Sequence, residues 1–398
     1  MFAKALRATI EEIRNDPVLR IYGFCLAVTH ILTFLFWRGG YDLVSLLTAP
    51  EPMCWPFWAD CFRYRFLSPD GVYWLLRGYL FLSLIAGGLF TRKKWVAAAW
   101  WMFLAVNLLK LAVVLQDFQL RLNQHYMAGL ACLAFLFVPG KRRFLKILIA
   151  FFYFWAGVLK LDPEWLSGAA LYRPVWFFTG RWLPVICTYV VVLEIVFVWG
   201  LFSRRRWIFW TTLAQLLVFH VFSWPVVGYF YPTLMFCLLT IYPMDFVRPA
   251  AGTEPKRFGR LGYAFLGVFS LAQLVPYAMP GDSALTGEGR IFGVHMFDAL
   301  VQCEAYALLK ETAGTERKLN LHRNWAARIH CDPVVYWNRA RALCRSEGRG
   351  TVFKDFDLIL NARRSTETEL KPVLAVENFC ATDPAYRVWR HNEWIRTD

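Results

Sequence analysis

The residues with the clearest chemical potential lie between Phe151 and Trp165, where the sequence reads FFYFWAGVLKLDPEW. An apolar, aromatic run ends on Lys160 and passes directly into the polar turn LDPEW. Removing an amine from water disfavours its charged form, which is how a lysine becomes a general base at neutral pH. The alternative is a structural lysine that extends its ammonium group towards water at the end of an apolar helix.

The composition indicates which kind of element must position this lysine. The chain has 398 residues, of which 58% are hydrophobic and only 18% are charged, and its mean hydropathy is +0.37. These values predict an integral membrane protein. The formal net charge of +15 does not indicate a nucleic-acid partner, because residues 282–398 hold 17 basic and 16 acidic residues and the excess lies in the apolar part.

Apolar runs of about 20 residues, the length that spans a bilayer, divide the first part of the chain. The sequence predicts nine of them, at 21–37, 72–90, 95–116, 122–138, 144–160, 182–202, 207–222, 226–243 and 262–279. Only Ser223 to Pro225 separates the seventh from the eighth. Two adjacent acids and no small-residue cleavage site precede the first run, so the sequence predicts no removable signal peptide and the first span is the predicted targeting element.

The distribution of lysine and arginine predicts the orientation of these helices. With the N-terminus inside, the inner loops hold 18 Lys and Arg residues and the outer loops hold seven. Such an excess is typical of cytoplasmic loops. We therefore predict a polytopic α-helical membrane protein with about nine spans and an inner N-terminus. Residues 1–280 form its transmembrane domain and residues 281–398 form an extracytoplasmic domain, which places the protein in a cell inner membrane.

The cysteines and the tail pattern agree with this topology. Four cysteines fall within predicted spans, and the other six lie on the predicted outer side, where disulfides form: Cys54, Cys61, Cys303, Cys331, Cys344 and Cys380. Their pairing cannot be read from the sequence, and without CxxC spacing we predict no metal site. In the tail, residues 351–363 and 371–380 predict strands, and residues 332–346 predict a helix capped by Asp332, so the domain is mixed α+β.

Ionisable side chains within membrane spans are rare and point to function. On the predicted topology seven of them share the outer layer: His30, Arg77, Lys110, Asp117, His125, Lys160 and His220. Glu194 alone lies near mid-bilayer. Several also have a structural interpretation: Arg77 as an anchor that extends towards the headgroups, and His30 as an interhelical hydrogen-bond partner. Lys110 and Asp117 would form an ion pair on one helix face, and Glu194 would be a protonated acid that bonds across helices.

The motifs resemble those of a known family. The segment AGVLKLDPEW, residues 156–165, resembles the AGxxKLDxxW signature of the vitamin K-dependent gamma-carboxylases, which belong to the HTTM membrane domain superfamily. Asn123 to His125 is similar to the family's N-x-H element, and residues 219–236 are similar to its FH segment. Residues 54–67 resemble the outer loop of bacterial HTTM proteins. Residues 287–301 are similar to the family's YGxSWxMM segment, with Val294 and His295 in place of Ser-Trp.

The resemblance implies an activity and roles for residues. It implies carboxylation of glutamate in a peptide or protein, with reduced vitamin K or a related quinol as cofactor and O2 and CO2 as co-substrates. Lys160 would be the catalytic base and His125 would stabilise the quinol oxyanion. Asn123, His220, Tyr153, Trp155 and Trp165 would form the cofactor site. The implied partners are the lipid bilayer, an isoprenoid quinone and the peptide.

Two other interpretations remain open at this point. One is a non-catalytic HTTM protein for maturation, escort or immunity of a secreted peptide, which would tolerate loss of Lys160. The other is a proton-coupled transporter, which would need several mid-membrane carboxylates, whereas the sequence supplies only Glu194.

Overall fold

The computed structural model describes residues 2–40, 42–65, 67–171, 178–248, 259–295, 300–323 and 329–397. Arg173, Lys256 and Arg257, which entered the count of loop charges, lie outside these residues. So do Phe66 of the predicted outer loop and residues 296–299 of the YGxSWxMM-like segment.

Helices are the main elements of the described residues up to 286. They are α1 (Phe2–Asn15), α2 (Pro17–Gly39), α3 (Leu43–Thr48), α4 (Pro69–Phe90), α5 (Val96–Leu115), α6 (Asn123–Phe137), α7 (Lys141–Val158), α8 (Pro163–Ser167), α9 (Trp182–Ile195), α10 (Arg206–Val227), α11 (Phe230–Leu239), α12 (Ile241–Val247), α13 (Arg260–Ala278) and α14 (Ser283–Thr286). Short 3-10 turns lie at Pro56–Trp58, Cys61–Tyr64, Lys93–Trp95, Phe118–Leu120 and Phe197–Phe202.

Seven helical segments of the described chain are long and apolar enough to cross a bilayer, so the chain is an integral membrane protein. They are Pro17–Gly39, Pro69–Phe90, Lys93–Leu115, Trp182–Phe202, Arg206–Val227, Phe230–Val247 and Arg260–Ala278. Large apolar side chains such as Trp74, Trp207 and Val268 are about two-thirds exposed on their outer surfaces, as lipid contact requires.

The fourth and fifth predicted spans form α6 and α7 at the centre of the helical core. Helix α6 has only 15 residues, and α7 carries Lys141, Arg142, Arg143 and Lys146 in its first two turns. Helix α6 is therefore too short, and α7 too highly charged, to be counted among the seven segments. Their buried faces pack into the largest apolar cluster of the described residues, with Ala128, Ala131 and Phe135 fully buried. The count of nine spans and the inner N-terminus stay predictions.

The seventh and eighth predicted spans are separate helical segments, but the break between them lies at Gly228 and not at the predicted Ser223 to Pro225. Helix α10 continues through Ser223 and Pro225 to Val227, and the chain turns at Gly228. Pro225 has no backbone N–H and therefore interrupts the hydrogen bonding in the last turn of this helix. Gly228 has φ +76°, a left-handed conformation that glycine adopts without strain.

An antiparallel four-stranded sheet forms the core of the C-terminal part. The strands are β1 (Val301–Glu311), β2 (Glu316–Asn320), β3 (Phe353–Arg364) and β4 (Lys371–Val376), in the order β2-β1-β3-β4. Helices α15 (Pro333–Cys344) and α16 (Phe379–Thr382) pack on it. The predicted strands and helix are confirmed, and Asp332 caps α15 by accepting a hydrogen bond from the Val334 amide at 3.0 Å. Strands β1 and β2 were not predicted.

The six cysteines on the predicted outer side form three disulfides, Cys54–Cys61, Cys303–Cys331 and Cys344–Cys380. The loop closed by the first disulfide contacts α15. Asn338 accepts a hydrogen bond from the Cys54 amide at 3.1 Å and donates one to the Cys54 carbonyl at 2.9 Å. Because α15 packs on the sheet, these bonds fix the sheet to the loop that connects α3 and α4.

Candidate functional site

Lys160 lies in the turn that follows α7, and its side chain is buried. Its ammonium group donates to both carboxylate oxygens of Glu194 on α9, each at 2.6 Å. The two side chains are 2% and 0% exposed. The ammonium nitrogen also lies 5.1 Å from the centre of the Trp165 ring and 5.7 Å from that of Phe219. Lys160 is therefore half of a buried ion pair with aromatic walls and does not extend towards water.

Gly157 explains how α7 and α9 come close enough for this pair. A Cβ atom at position 157 would lie 2.7 Å from Ile195 Cγ1 and 3.0 Å from Glu194 Cβ. Real side chains do not approach so closely, so only glycine fits here without moving α9. The glycine of the AGVLK motif thus brings the backbone that carries Lys160 against the turn of helix that carries Glu194.

The LDPEW turn connects the lysine to the sheet. Asp162 caps α8, and both of its carboxylate oxygens accept hydrogen bonds from Arg364 on β3, at 3.0 and 2.9 Å. The same guanidinium binds the carboxylate of Asp282 and lies 3.6 Å from that of Glu164, whose side chain is 1% exposed. One arginine of the sheet therefore holds three carboxylates together where the LDPEW turn meets the sheet.

The charge of Arg364 changes the titration of this group. Burial alone would raise the pKa of Asp282, but the hydrogen bonds from Arg364 and from the Ala284 amide outweigh it and hold the pKa below its ordinary value. The hydrogen bond to Asp282, with the nearby carboxylates, raises the pKa of Arg364. Arg364 therefore stays charged, and Asp282 stays ionised at neutral pH.

His220 and Tyr153 lie beside the Lys160 group. The His220 Nε2 atom and the Tyr153 hydroxyl are hydrogen-bonded at 2.6 Å. The His220 ring is 5.0 Å from that of Phe219, which also faces Lys160. Two other predicted site residues have structural contacts here: the Trp165 indole donates to the Cys187 carbonyl at 3.1 Å, and the Trp155 indole donates to the Ser270 hydroxyl at 3.2 Å.

Asn123 and His125 belong to a different place, a cavity of about 480 Å³. It lies between α5, α6 and residues 290–295, and we call it the α5–α6 cavity. Its walls are mainly apolar, and its polar or charged lining side chains are Asn107, Lys110, Arg121, Asn123, His125, Tyr126, Arg290 and His295. No acidic residue is among the described residues that line it. Lys160, His220, Tyr153, Trp155 and Trp165 are not lining residues either.

Side chains of the bundle hold residues 290–295 over the cavity. Asn123 donates to the His295 carbonyl, and Gln273 of α13 accepts from the Val294 amide at 2.6 Å. The Tyr126 hydroxyl donates to the Phe292 carbonyl at 3.4 Å. Asn123 therefore positions the roof of the cavity through its amide group.

The first turn of α11 lies between the two groups of predicted residues. The Phe230 ring is 5.5 Å from that of His125, and the ring of its neighbour Tyr231 is 5.1 Å from that of His220. Both aromatic residues are buried. The predicted site is therefore two adjacent sites, one around Lys160 and one around His125, separated by a layer of aromatic rings.

The predicted pairing of Lys110 with Asp117 was wrong. Helix α5 ends at Leu115, so Asp117 no longer lies on the helix face that carries Lys110. Asp117 instead accepts a hydrogen bond from Arg65 at 2.9 Å. The interpretation of His30 is confirmed, because its Nδ1 atom is hydrogen-bonded at 2.7 Å to Tyr79 on α4.

Within the described part of the chain, one group has metal-ligand types within 4.8 Å of one another: Cys303, His322 and His330. The Cys303 sulfur already forms the disulfide with Cys331. A disulfide sulfur cannot act as a thiolate ligand, so this group does not constitute a metal site in the oxidised protein.

These features define a class: an integral membrane protein with a buried Lys–Glu pair and an adjacent apolar cavity beneath a disulfide-linked domain. Comparisons of the chain with protein-family models, curated proteins and solved structures gave no match.

Proposed function

We propose that this protein is a membrane enzyme of the quinol-dependent glutamyl carboxylase type, acting on a peptide or protein at the extracytoplasmic face of a cell inner membrane. The single observation that carries the proposal is that Lys160 of the carboxylase-like motif forms a buried pair with Glu194 of α9. Its position beside the α5–α6 cavity supports a lipid-soluble cofactor, and the overlying sheet supports presentation of a peptide.

The cavity is of a suitable kind for a quinol. Its volume of about 480 Å³ falls within the range of roughly 300–1,000 Å³ typical of small-molecule sites. Its apolar walls suit a ring and an isoprenoid tail. Within them, the Nδ1 atom of His125 is buried without a hydrogen-bond partner among the described residues. A ligand oxygen in the cavity would satisfy that nitrogen.

When bound, a reduced vitamin K or related quinol would supply, with O2, the strong base that removes the γ-hydrogen of glutamate. The overall reaction converts quinol, O2, CO2 and a glutamyl residue into quinone epoxide, water and γ-carboxyglutamate. The chain itself must bind the quinol, exclude water and accept a proton.

The Lys160–Glu194 pair is suited to proton acceptance. If the ammonium gives one proton to Glu194 across 2.6 Å, both side chains become neutral, and the amine gains the lone pair that a general base needs. Apolar surroundings reduce the cost of this neutral form relative to the ionised pair. Glu194 would therefore act as the proton store for Lys160.

The aromatic layer sets a condition on this function. Because Phe230 and Tyr231 lie between the His125 and His220 groups, a ligand in the cavity reaches Lys160 only if these rings move or if a proton relay crosses them. Replacing Phe230 by alanine should therefore change the turnover rate more than it changes quinol affinity.

The test is mass spectrometry of glutamate-rich peptides incubated with purified protein in bilayers, reduced vitamin K, O2 and bicarbonate. We expect a mass gain of one carboxyl group with the wild type and no gain with Lys160→Met. The control Lys93→Met, which changes an exposed lysine in the turn before α5, should show the same gain as the wild type. Equal carboxylation by wild type and Lys160→Met would refute the assigned base.

A second candidate function is non-catalytic maturation, escort or immunity for a secreted peptide. The observation that favours it is Arg364, which fixes the LDPEW turn to the sheet and gives the motif a purely structural use. This candidate predicts that the double variant Lys160→Met/Glu194→Leu retains cellular function, whereas Arg364→Gln loses it. The carboxylase proposal predicts loss in the double variant.

A further inference from the structure

The α5–α6 cavity contains a second basic side chain, Lys110, which the carboxylase-like motifs do not include. Lys110 is 5% exposed and lines the cavity. Its ammonium nitrogen has no hydrogen-bond partner among the described residues. Because a buried charge without a partner is strongly disfavoured, Lys110 keeps its ammonium form only where an anion compensates it.

The available carboxylates do not compensate Lys110. Asp117, the acid nearest to it in sequence, is bound by Arg65. Glu194 is bound by Lys160. No described residue of the cavity wall is acidic. Asp332, which pairs with Arg121 of the wall at 3.4 Å, is not a lining residue. Among the described residues no carboxylate compensates Lys110, and an anion bound in the cavity would do so.

His125 adds a second donor. The Trp37 indole N–H, which can only donate, is bonded to the His125 Nε2 atom at 3.2 Å. Nε2 is therefore the acceptor, and the proton of the neutral ring lies on Nδ1. Since Nδ1 has no partner among the described residues, the cavity presents an N–H of His125 as well as the ammonium of Lys110.

The apolar end of the cavity reaches the outer surface of the bundle. Leu111 of α5 and Leu133 of α6 both line the cavity, and they are 53% and 42% exposed. A bilayer around the bundle would contact these side chains. An amphiphile could therefore enter between α5 and α6 with its tail towards lipid and its head towards Lys110 and His125.

We propose that the α5–α6 cavity binds an amphiphile through a single anionic oxygen group, with Lys110 as its counter-ion and His125 as a hydrogen-bond donor. A fatty-acid carboxylate and the phenolate of an isoprenoid quinol share this chemistry. The quinol alternative rests on the proposed function, and it would mean that the cavity holds the quinol as its monoanion. The fatty-acid alternative does not rest on the proposed function.

The binding test uses the full chain in phosphatidylcholine nanodiscs with cis-parinaric acid, a fluorescent fatty acid, and its methyl ester. Hydrogen bonds to charged groups contribute about 1.5–3 kcal/mol, so we expect the acid to bind at least about tenfold more tightly than the ester. Lys110→Met should remove this preference, and Lys110→Arg should keep it. Equal affinity for acid and ester, or an unchanged preference in Lys110→Met, would overturn the inference.

Two further variants make the test independent of folding. Gly129 lines the cavity and has no atom within 4 Å of a Cβ position, so Gly129→Phe should fill the cavity and abolish binding; Gly267 on α13 is equally open and lies outside the lining, so Gly267→Phe is the matched control. Removal of an uncompensated charge should also raise the thermal midpoint of the ligand-free protein in Lys110→Met. A lowered midpoint would mean that Lys110 has a protein partner.

The two proposals can fail separately. Reduced vitamin K is then added to the complex with the fluorescent acid. It should displace the acid if a quinol is the ligand, whereas only a competing fatty acid should displace it if a quinol is not. Loss of acid binding in Lys110→Met, with no carboxylation by the wild type, would keep the anionic site and reject the enzyme. Carboxylation by the wild type, together with unchanged binding of the fluorescent acid in Lys110→Met, would keep the enzyme and reject the anionic site.

Discussion

The ammonium group of Lys160 lies 2.6 Å from both carboxylate oxygens of Glu194, although 34 residues separate them in the chain. Because both side chains are buried, each charge depends on the other for compensation. The pair links the turn after α7 to the C-terminal end of α9. It is therefore both the proposed proton store and a structural contact, and the two roles can be separated by substitution.

Removing either partner of this pair should destabilise the protein. Glu194→Gln or Lys160→Met leaves one buried charge, which typically lowers the free energy of unfolding by about 3–5 kcal/mol. The double variant Lys160→Met/Glu194→Leu should recover most of that loss, because two apolar side chains need no compensation. Thermal unfolding followed by tryptophan fluorescence measures this, and single variants as stable as the wild type would contradict the buried pair.

Gly157→Ala should separate α7 from α9. The added methyl group would lie 2.7 Å from Ile195 Cγ1, and such overpacking costs about 1–3 kcal/mol. Gly267→Ala, where nothing lies within 4 Å, is the control and should be neutral or slightly stabilising. The thermal midpoints of the two variants decide this, and an equal midpoint would show that the helices do not meet at Gly157.

Acid should weaken the contact between the sheet and the LDPEW turn. The folded-state pKa of Asp282 is below its ordinary value of 3.8, so its ionised form contributes stability above that pH. This contribution is lost as the pH falls from 3.8 through the folded-state pKa. Thermal midpoints measured from pH 7 to about 3 should fall less steeply in Asp282→Asn than in the wild type. Parallel curves would contradict the assigned shift.

Trp37→Phe should allow His125 to populate both of its neutral tautomers. The substitution keeps the aromatic contact but removes the indole N–H that holds Nε2 as the acceptor. Losing one hydrogen bond of about 1 kcal/mol should weaken amphiphile binding about fivefold. Nitrogen chemical shifts of labelled histidine should show one tautomer in the wild type and a mixture in the variant. A single, unchanged tautomer in both would mean that Trp37 does not set it.

Features that depend on local sequence were predictable. The apolar runs predicted membrane helices, alternation predicted β3 and β4, and Asp332 followed by Pro333 predicted the start of α15. Strand β1 was missed because its inward residues are Ala305, Ala307 and Leu309, which are small or favour helices and therefore leave a weak strand pattern.

Features that depend on helix packing were not predictable. The sequence shows Lys160 and Glu194 as ionisable residues in different spans, but only the approach of α7 to α9 at Gly157 makes them a pair. Likewise, the end of α5 at Leu115 separates Lys110 from Asp117 and leaves Lys110 in the cavity. The aromatic layer of Phe230 and Tyr231 has no sequence signal that distinguishes it from ordinary core.

The central claim is that a quinol in the α5–α6 cavity supports carboxylation through Lys160. The most direct measurement is quinol-dependent fixation of labelled CO2 into glutamate peptides by purified protein in bilayers, comparing the wild type with Gly129→Phe and its control Gly267→Phe. We predict fixation by the wild type and the control only when reduced quinol is present, and none by Gly129→Phe. Fixation without quinol, or undiminished fixation in Gly129→Phe, would contradict the account.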